Sequence, residues 1–267
     1  MAYTLDTLSD EYRELWDTME VLPRWTGAIE RAAKVIVRNR ARYEEIADQI
    51  GMPWQLIGAW HWRESTGNFA KHLHNGDPLT RRTTRVPAGR PKGTPPFTWE
   101  ESALDALGMK KLDEVSDWSE EQVCYQTERY NGFGYRQRRT GINSPYLWSG
   151  TNHYHIGKFV RDGVLNREAV DQQVGVIPLY RRVCELTVEH EAIDNSTTVS
   201  LIRRVKRFIE GLGVSIGGLF TYDNALIAGQ TLIVAGAAGL AVWAIMHVIE
   251  RKRRAEAAEG RYKPRSQ

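Results

Sequence analysis

Residues 225–249 contain no Asp, Glu, Lys or Arg. A run of about 20 apolar residues is long enough to cross a bilayer as a helix. Arg251-Lys252-Arg253-Arg254 follows almost at once. The expectation is a C-terminal transmembrane helix over 225–249 and a basic tail over 250–267; the rival reading is a buried core helix. Thr231, Ala235 and Gly239 recur at four-residue spacing, a small-residue stripe that suits helix–helix self-association. The Arg-rich end belongs on the cytoplasmic side, which puts residues 1–224 on the outer side of the membrane. The N-terminus Met1-Ala2-Tyr3-Thr4 has neither a basic nor an apolar leader region, so no secretory signal is expected there.

The anchor divides the chain into a domain over 1–193, a polar linker with a short basic amphipathic stretch over 194–224, the span and the tail. Charge follows the same division. The whole chain carries +3, whereas residues 200–267 hold eleven Lys/Arg against five Asp/Glu, or +6. Residues 1–199 therefore carry −3, which does not support a nucleic-acid role for the main domain. Two cysteines, Cys124 and Cys184, are too few for a disulfide framework and read as core thiols. No Cys/His cluster has zinc-ligand spacing.

Within 1–193 the apolar periodicity is helical. Tyr12, Leu15, Trp16 and Met19 form one stripe behind Ser9 as the expected cap, and Ile29, Ala32, Ala33 and Ile36 form a second. Tyr43, Ile46, Ala47 and Ile50 form a third, which stops at Gly51. After Pro53 the stripe is Ile57, Trp60, His61 and Glu64. A face that should meet the core thus ends in a carboxylate. Beside aromatic rings such a group should hold its proton to higher pH, as a general acid requires. The alternative is a Glu paired with Arg63 or another arginine at the helix end.

Residues 70–97 are irregular and polar, with His72, His74, Asn75, Asp77, five prolines and four arginines. A long loop of this kind is usually functional or disordered. Its threonine-rich part, 79–86, has room for a small β-hairpin. Thr98 with Glu101 has capping-box spacing, and residues 119–130 are helical again. Glu100, Glu101 and Glu128 are the other carboxylates to weigh, the first two better explained as charges at a helix N-terminus. Then come Tyr130-Asn131-Gly132-Phe133-Gly134-Tyr135 and Ser144-Pro145-Tyr146-Leu147-Trp148. Their rings either stack on a ligand or form an aromatic minicore. Residues 154–160 and 174–186 are expected to close the domain as helices.

Three segments carry a resemblance to the bacteriophage endolysins of the lysozyme-like superfamily, near goose-type lysozymes and soluble lytic transglycosylases. They are Arg63-Glu64-Ser65 with Phe69, His74-Asn75-Gly76-Asp77-Pro78-Leu79, and Tyr130-Asn131-Gly132 followed by Ser144 to Trp148. The match covers roughly residues 25–190. The Gly-Leu-Met-Gln segment typical of lytic transglycosylases is absent, and residues 74–78 stand in its place. The resemblance implies a mainly α, lysozyme-like helical domain that cleaves the β-1,4 bond between N-acetylmuramic acid and N-acetylglucosamine during phage-induced lysis. Peptidoglycan glycan strands would be the partner, no metal or cofactor would be needed, and the domain would face the cell wall from an inner-membrane anchor. It implies Glu64 as acid/base, with Asp77 as the second carboxylate if water is the nucleophile. His74, Asn75, Tyr130, Asn131 and Tyr146 would contact the sugar. A membrane-tethered glycan-binding or assembly protein without catalysis is the competing expectation.

Overall fold

Helices dominate because the apolar stripes above repeat at 3.6 residues and can only be buried by packing helix on helix. The computed structural model describes residues 3–161 and 163–190. In chain order the helices are α1 (Leu5–Asp17), α2 (Pro23–Arg38), α3 (Arg40–Ile50), α4 (Trp54–Ser65), α5 (Trp99–Met109), α6 (Glu120–Asn131), α7 (Gly134–Gln137) and α8 (Pro145–Trp148). A last helix, α9, covers residues 176–190. One antiparallel hairpin pairs β1 (Lys158–Arg161) with β2 (Val164–Asn166), with Phe159 opposite Leu165. The chain is mainly helical with this one small hairpin among the described residues.

The organising element is α4. Trp54, Leu56, Ile57, Gly58, Ala59, Trp60 and His61 are all buried, so the helix is enclosed rather than one-sided. It packs against α2 and α3, while α3 also meets α5, and α1 lies along α6. Gly58 makes the crossing with α2 close: a Cβ there would lie 2.3 Å from Ile36 Cγ2. Trp60, Trp99 and Trp148 are the largest fully buried side chains, one each from α4, α5 and α8.

The boundaries follow local chemistry. Gly51 ends α3 with φ 78°, as its position predicts. Thr98 caps α5 by accepting from Glu101 N–H, and Glu101 reaches back to Thr98 N–H at 2.7 Å, completing the capping box. Three expectations need correction. The first helix is capped by Thr4 rather than Ser9, since its stripe extends back to Leu8. The hairpin is at 158–166 and not at 79–86, where Thr83 bonds to Pro87 and Arg90 and Thr84 bonds to Asp77 within the loop instead. Residues 154–160 accordingly form no helix; Lys158 onward is strand, while 176–190 is helical. Cys124 is a buried thiol and Cys184 a partly buried one, and both are free. The expected span at 225–249, its self-association stripe, the linker and the basic tail lie outside the described residues. Among the described residues no helix is long and apolar enough to cross a membrane.

Candidate active site

Glu64 stands in the last turn of α4. The turn is closed by two residues in the left-handed region, Thr66 (φ 58°) and Gly67 (φ 70°). Thr66 N–H donates to Trp62 O and Gly67 N–H to His61 O, so the helix stops with its end carbonyls satisfied. The chain then folds back over this end. Gly76 lies so close to α4 that a Cβ on it would be 2.7 Å from the Glu64 carbonyl oxygen, and its φ is 75°. Only glycine meets both conditions without displacement.

The Glu64 carboxyl keeps part of its surface open but is surrounded by protein. Its Oε1 accepts a hydrogen bond from Tyr146 Oη at 2.7 Å. Burial raises its pKa to about 7, against smaller opposing effects from the Tyr146 hydrogen bond and the charges of Arg63 and Lys110. Arg63, the obvious partner next door, is turned away. Its guanidinium makes a two-pronged pair with Asp171 (3.0 and 3.1 Å) and a further bond to Val174 O. Both side chains are buried, and Lys158 adds a second cation to Asp171 at 3.0 Å. Burial alone would raise the Asp171 pKa. The charge and hydrogen bonds of Arg63, with Gln173 N–H and Lys158, bring it below the usual value.

The aromatic residues of the stripe are core. Trp60 stacks on Tyr130, with ring centroids 4.4 Å apart, and donates through Nε1 to Thr127. His61 shares a 3.0 Å hydrogen bond with Tyr43 and sits among Tyr43, Phe69 and Trp99. Burial lowers its pKa to about 4, so it is neutral and has no proton to give near pH 7. Phe69 therefore belongs to the wall behind the site, covered by the Arg42 guanidinium at 3.8 Å.

The other expected residues divide into two groups. Tyr130 and Tyr146 are both buried: Tyr130 Oη donates to Leu73 O at 2.8 Å, just before the 74–78 loop, and Tyr146 binds Glu64. Asn131, the last residue of α6, is exposed. The loop residues are used on one another. His74 presents only 1% of its side chain to solvent, being held between Asp105 (2.8 Å) and Ser102 (3.3 Å). Its imidazole fixes the loop to α5 and is not presented to a ligand. Asn75 Oδ1 accepts from Asp77 N–H at 3.0 Å. Asp77 Oδ2 accepts from Thr84 N–H (2.8 Å), Thr84 Oγ1 (3.1 Å) and Asn75 Nδ2 (3.3 Å). These bonds, led by Thr84 N–H, hold the Asp77 carboxyl below its ordinary pKa.

Glu128 is buried and accepts from Tyr12 Oη (2.7 Å) and Arg136 Nε (2.9 Å), which makes it a structural ion pair. Glu100 pairs with Arg42, and Glu101 serves the cap. Among the described residues no group of three or more His, Cys, Asp and Glu side chains is placed to hold a metal ion. A depression of about 410 Å³ lies elsewhere, where Met19, Ile29, Glu30, Pro178 and Arg182 meet; neither Glu64 nor Tyr146 lines it. Its acids are both paired, Glu30 with Lys34 and Arg182 and Glu185 with Arg181 and Arg182.

Sequence reasoning missed Asp171 and Lys110. Asp171 is 108 positions from Arg63, in a stretch without periodicity, so nothing local marks it. Lys110 follows directly on α5, where a lysine suits the helix dipole and draws no notice. No family model, no curated protein and no solved structure matches this chain.

Proposed function

We propose that the domain is a lysozyme-like, peptidoglycan-cleaving glycosidase in which Glu64 is the general acid, acting in phage-induced lysis of the host cell from an inner-membrane anchor. One observation carries this reading. Glu64 is a partly exposed carboxyl that accepts the Tyr146 hydroxyl and pairs with no arginine, and burial raises its pKa to about 7. In this reading it protonates the leaving oxygen of the β-1,4 bond between N-acetylmuramic acid and N-acetylglucosamine, and Tyr146 orients it through the 2.7 Å hydrogen bond. In the same reading Tyr130 and the exposed Asn131 contact the sugar.

Asp77 bears on what happens next. Its Oδ2 already accepts three hydrogen bonds within the loop. An inverting hydrolase needs a second carboxylate with room for water. The occupied Asp77 favours the lytic transglycosylase course. There the muramyl 6-hydroxyl attacks the anomeric carbon, its proton passes to Glu64, and a 1,6-anhydro end forms with no water consumed.

The test is mass spectrometry of purified peptidoglycan digested with the full-length protein. Anhydro-muramyl ends are expected. Reducing ends would move the assignment to hydrolysis with Asp77 restored as base. Glu64→Gln is expected to remove cleavage while leaving the circular dichroism spectrum unchanged, and full clearing by that variant overturns the proposal. Saccharide binding with no cleavage by the unaltered protein would instead favour the membrane-tethered glycan-binding reading. The rate should fall as pH rises through about 7, because only the protonated Glu64 can act as acid.

A further inference from the structure

We propose that Lys110 is the receptor for a carboxylate carried on a branch of the saccharide held over Glu64. This rests on the glycan-cleaving reading above and narrows it to anionic, muramyl-type strands. Lys110 closes α5, and its ammonium lies 5.6 Å over the Tyr130 ring, which Trp60 stacks on. Tyr130 in turn is fixed to Leu73 O at the root of the 74–78 loop. The ammonium is thereby held near the acid: Lys110 and Glu64 influence one another's proton affinity, and the Tyr130 hydroxyl feels the Glu64 charge as well.

Lys110 takes part in none of the ion pairs among the described residues. Burial and the neighbouring Arg129 both disfavour its charge. Arg129 cannot be moved aside freely, because it is bonded to the Lys110 carbonyl and to Gln126. A half-buried cation is ordinarily paired. Glu64 does not fill that place in its working form, since as the acid it is neutral. A carboxylate arriving with the ligand does. The muramyl lactyl group ends in a carboxyl, and a stem peptide built on it carries others, whereas N-acetylglucosamine carries none. A lysine presents a compact charge with three rotatable donors, which suits a carboxylate on a flexible branch.

The experiment is calorimetric titration of the full-length Glu64→Gln protein, so that no ligand is consumed. The probes are a GlcNAc–MurNAc tetrasaccharide with free lactyl carboxylates, the same tetrasaccharide with those groups converted to methylamides, and a muropeptide bearing stem peptides. Adding Lys110→Met is expected to weaken a carboxylate-bearing probe about tenfold while changing the methylamide less than about twofold. Lys110→Arg should restore most of the loss. A selective loss with the free lactyl form assigns the contact to that group, and one with the muropeptide alone assigns it to the peptide; either supports the proposal. Equal weakening of all three probes, or of none, overturns it while leaving Glu64 as the acid untouched. Binding of no probe by the Glu64→Gln protein overturns the glycan reading and this proposal together.

Discussion

Two glutamates in this domain begin alike and end as opposites. Glu64 on α4 and Glu128 on α6 each accept a tyrosine hydroxyl at 2.7 Å, from Tyr146 and Tyr12 respectively. Each also has an arginine nearby in sequence. Arg136 reaches Glu128 through Nε and spans to Glu11 with its terminal nitrogens, tying α1 to α6. Arg63 instead turns to Asp171. A carboxylate that keeps its arginine is a strut. One whose arginine is taken by a third residue is left to hold a proton. Burial raises the Glu64 pKa, and with Arg63 turned to Asp171 that rise is only partly opposed.

The comparison breaks most visibly at Asp171. Asp171→Asn removes one half of a buried pair, and unfolding free energy measured with urea should fall by about 3–5 kcal/mol. Glu128→Gln should cost a similar or smaller amount, since Arg136 keeps Glu11. The sharper readout is the Glu64 carboxyl followed by 13C NMR. Its pKa should move down in Asp171→Asn, where Arg63 loses its counterion, and stay in place in Glu128→Gln. Equal movement in both would falsify the distinction drawn above.

The next effect concerns Glu64 itself. Its folded pKa, about 7, lies above the ordinary 4.5. The folded state therefore binds the proton more tightly, and stability falls as pH rises from about 4.5 to about 7. Glu64→Gln should relieve this, by at most about 3 kcal/mol above pH 7 and by nothing at pH 4. Thermal melts at both values decide the matter: a gain of equal size at pH 4 would point to packing instead. A smaller shift follows from Tyr146→Phe. Its hydroxyl favours the Glu64 anion, so losing it should raise the Glu64 pKa by up to about one unit, carrying the alkaline limb of the rate profile with it. The smallest effect lies far from either glutamate. Thr98→Ala should cost about 1 kcal/mol through the α5 cap and leave both titrations alone.

What was legible in the sequence follows the range of the interactions. The Ile57, Trp60, His61, Glu64 stripe and the Thr98–Glu101 box are formed by residues within two turns of each other, and both appear as expected in α4 and α5. Tyr146 could be placed near Glu64 only through the resemblance, and its hydrogen bond needed coordinates. The Arg63–Asp171 pair depends on how α9 is approached, and the His74 contacts depend on where α5 lies. A polar loop reads the same whether its side chains face a ligand or each other. Residues 74–77 turned out to be largely occupied with one another and with Thr84, Ser102 and Asp105. The hairpin was misplaced for a similar reason: threonine content marked 79–86, while Phe159 opposite Leu165, with Phe159 against Tyr135, decides where strands pair.

The Arg63–Asp171 pair joins α4 to a segment more than a hundred residues later, immediately before α9. A ribosome delivers those two ends in that order. A nascent chain that has emerged only through α8 already contains Glu64 and Tyr146, but its Arg63 has no Asp171 to turn to. The arginine beside Glu64 therefore gains its counterion only when translation has passed residue 171 and that segment has docked. Truncation before that point, by a premature stop codon or a protease, would leave a protein with every residue of the candidate site and an arginine without its counterion beside the glutamate.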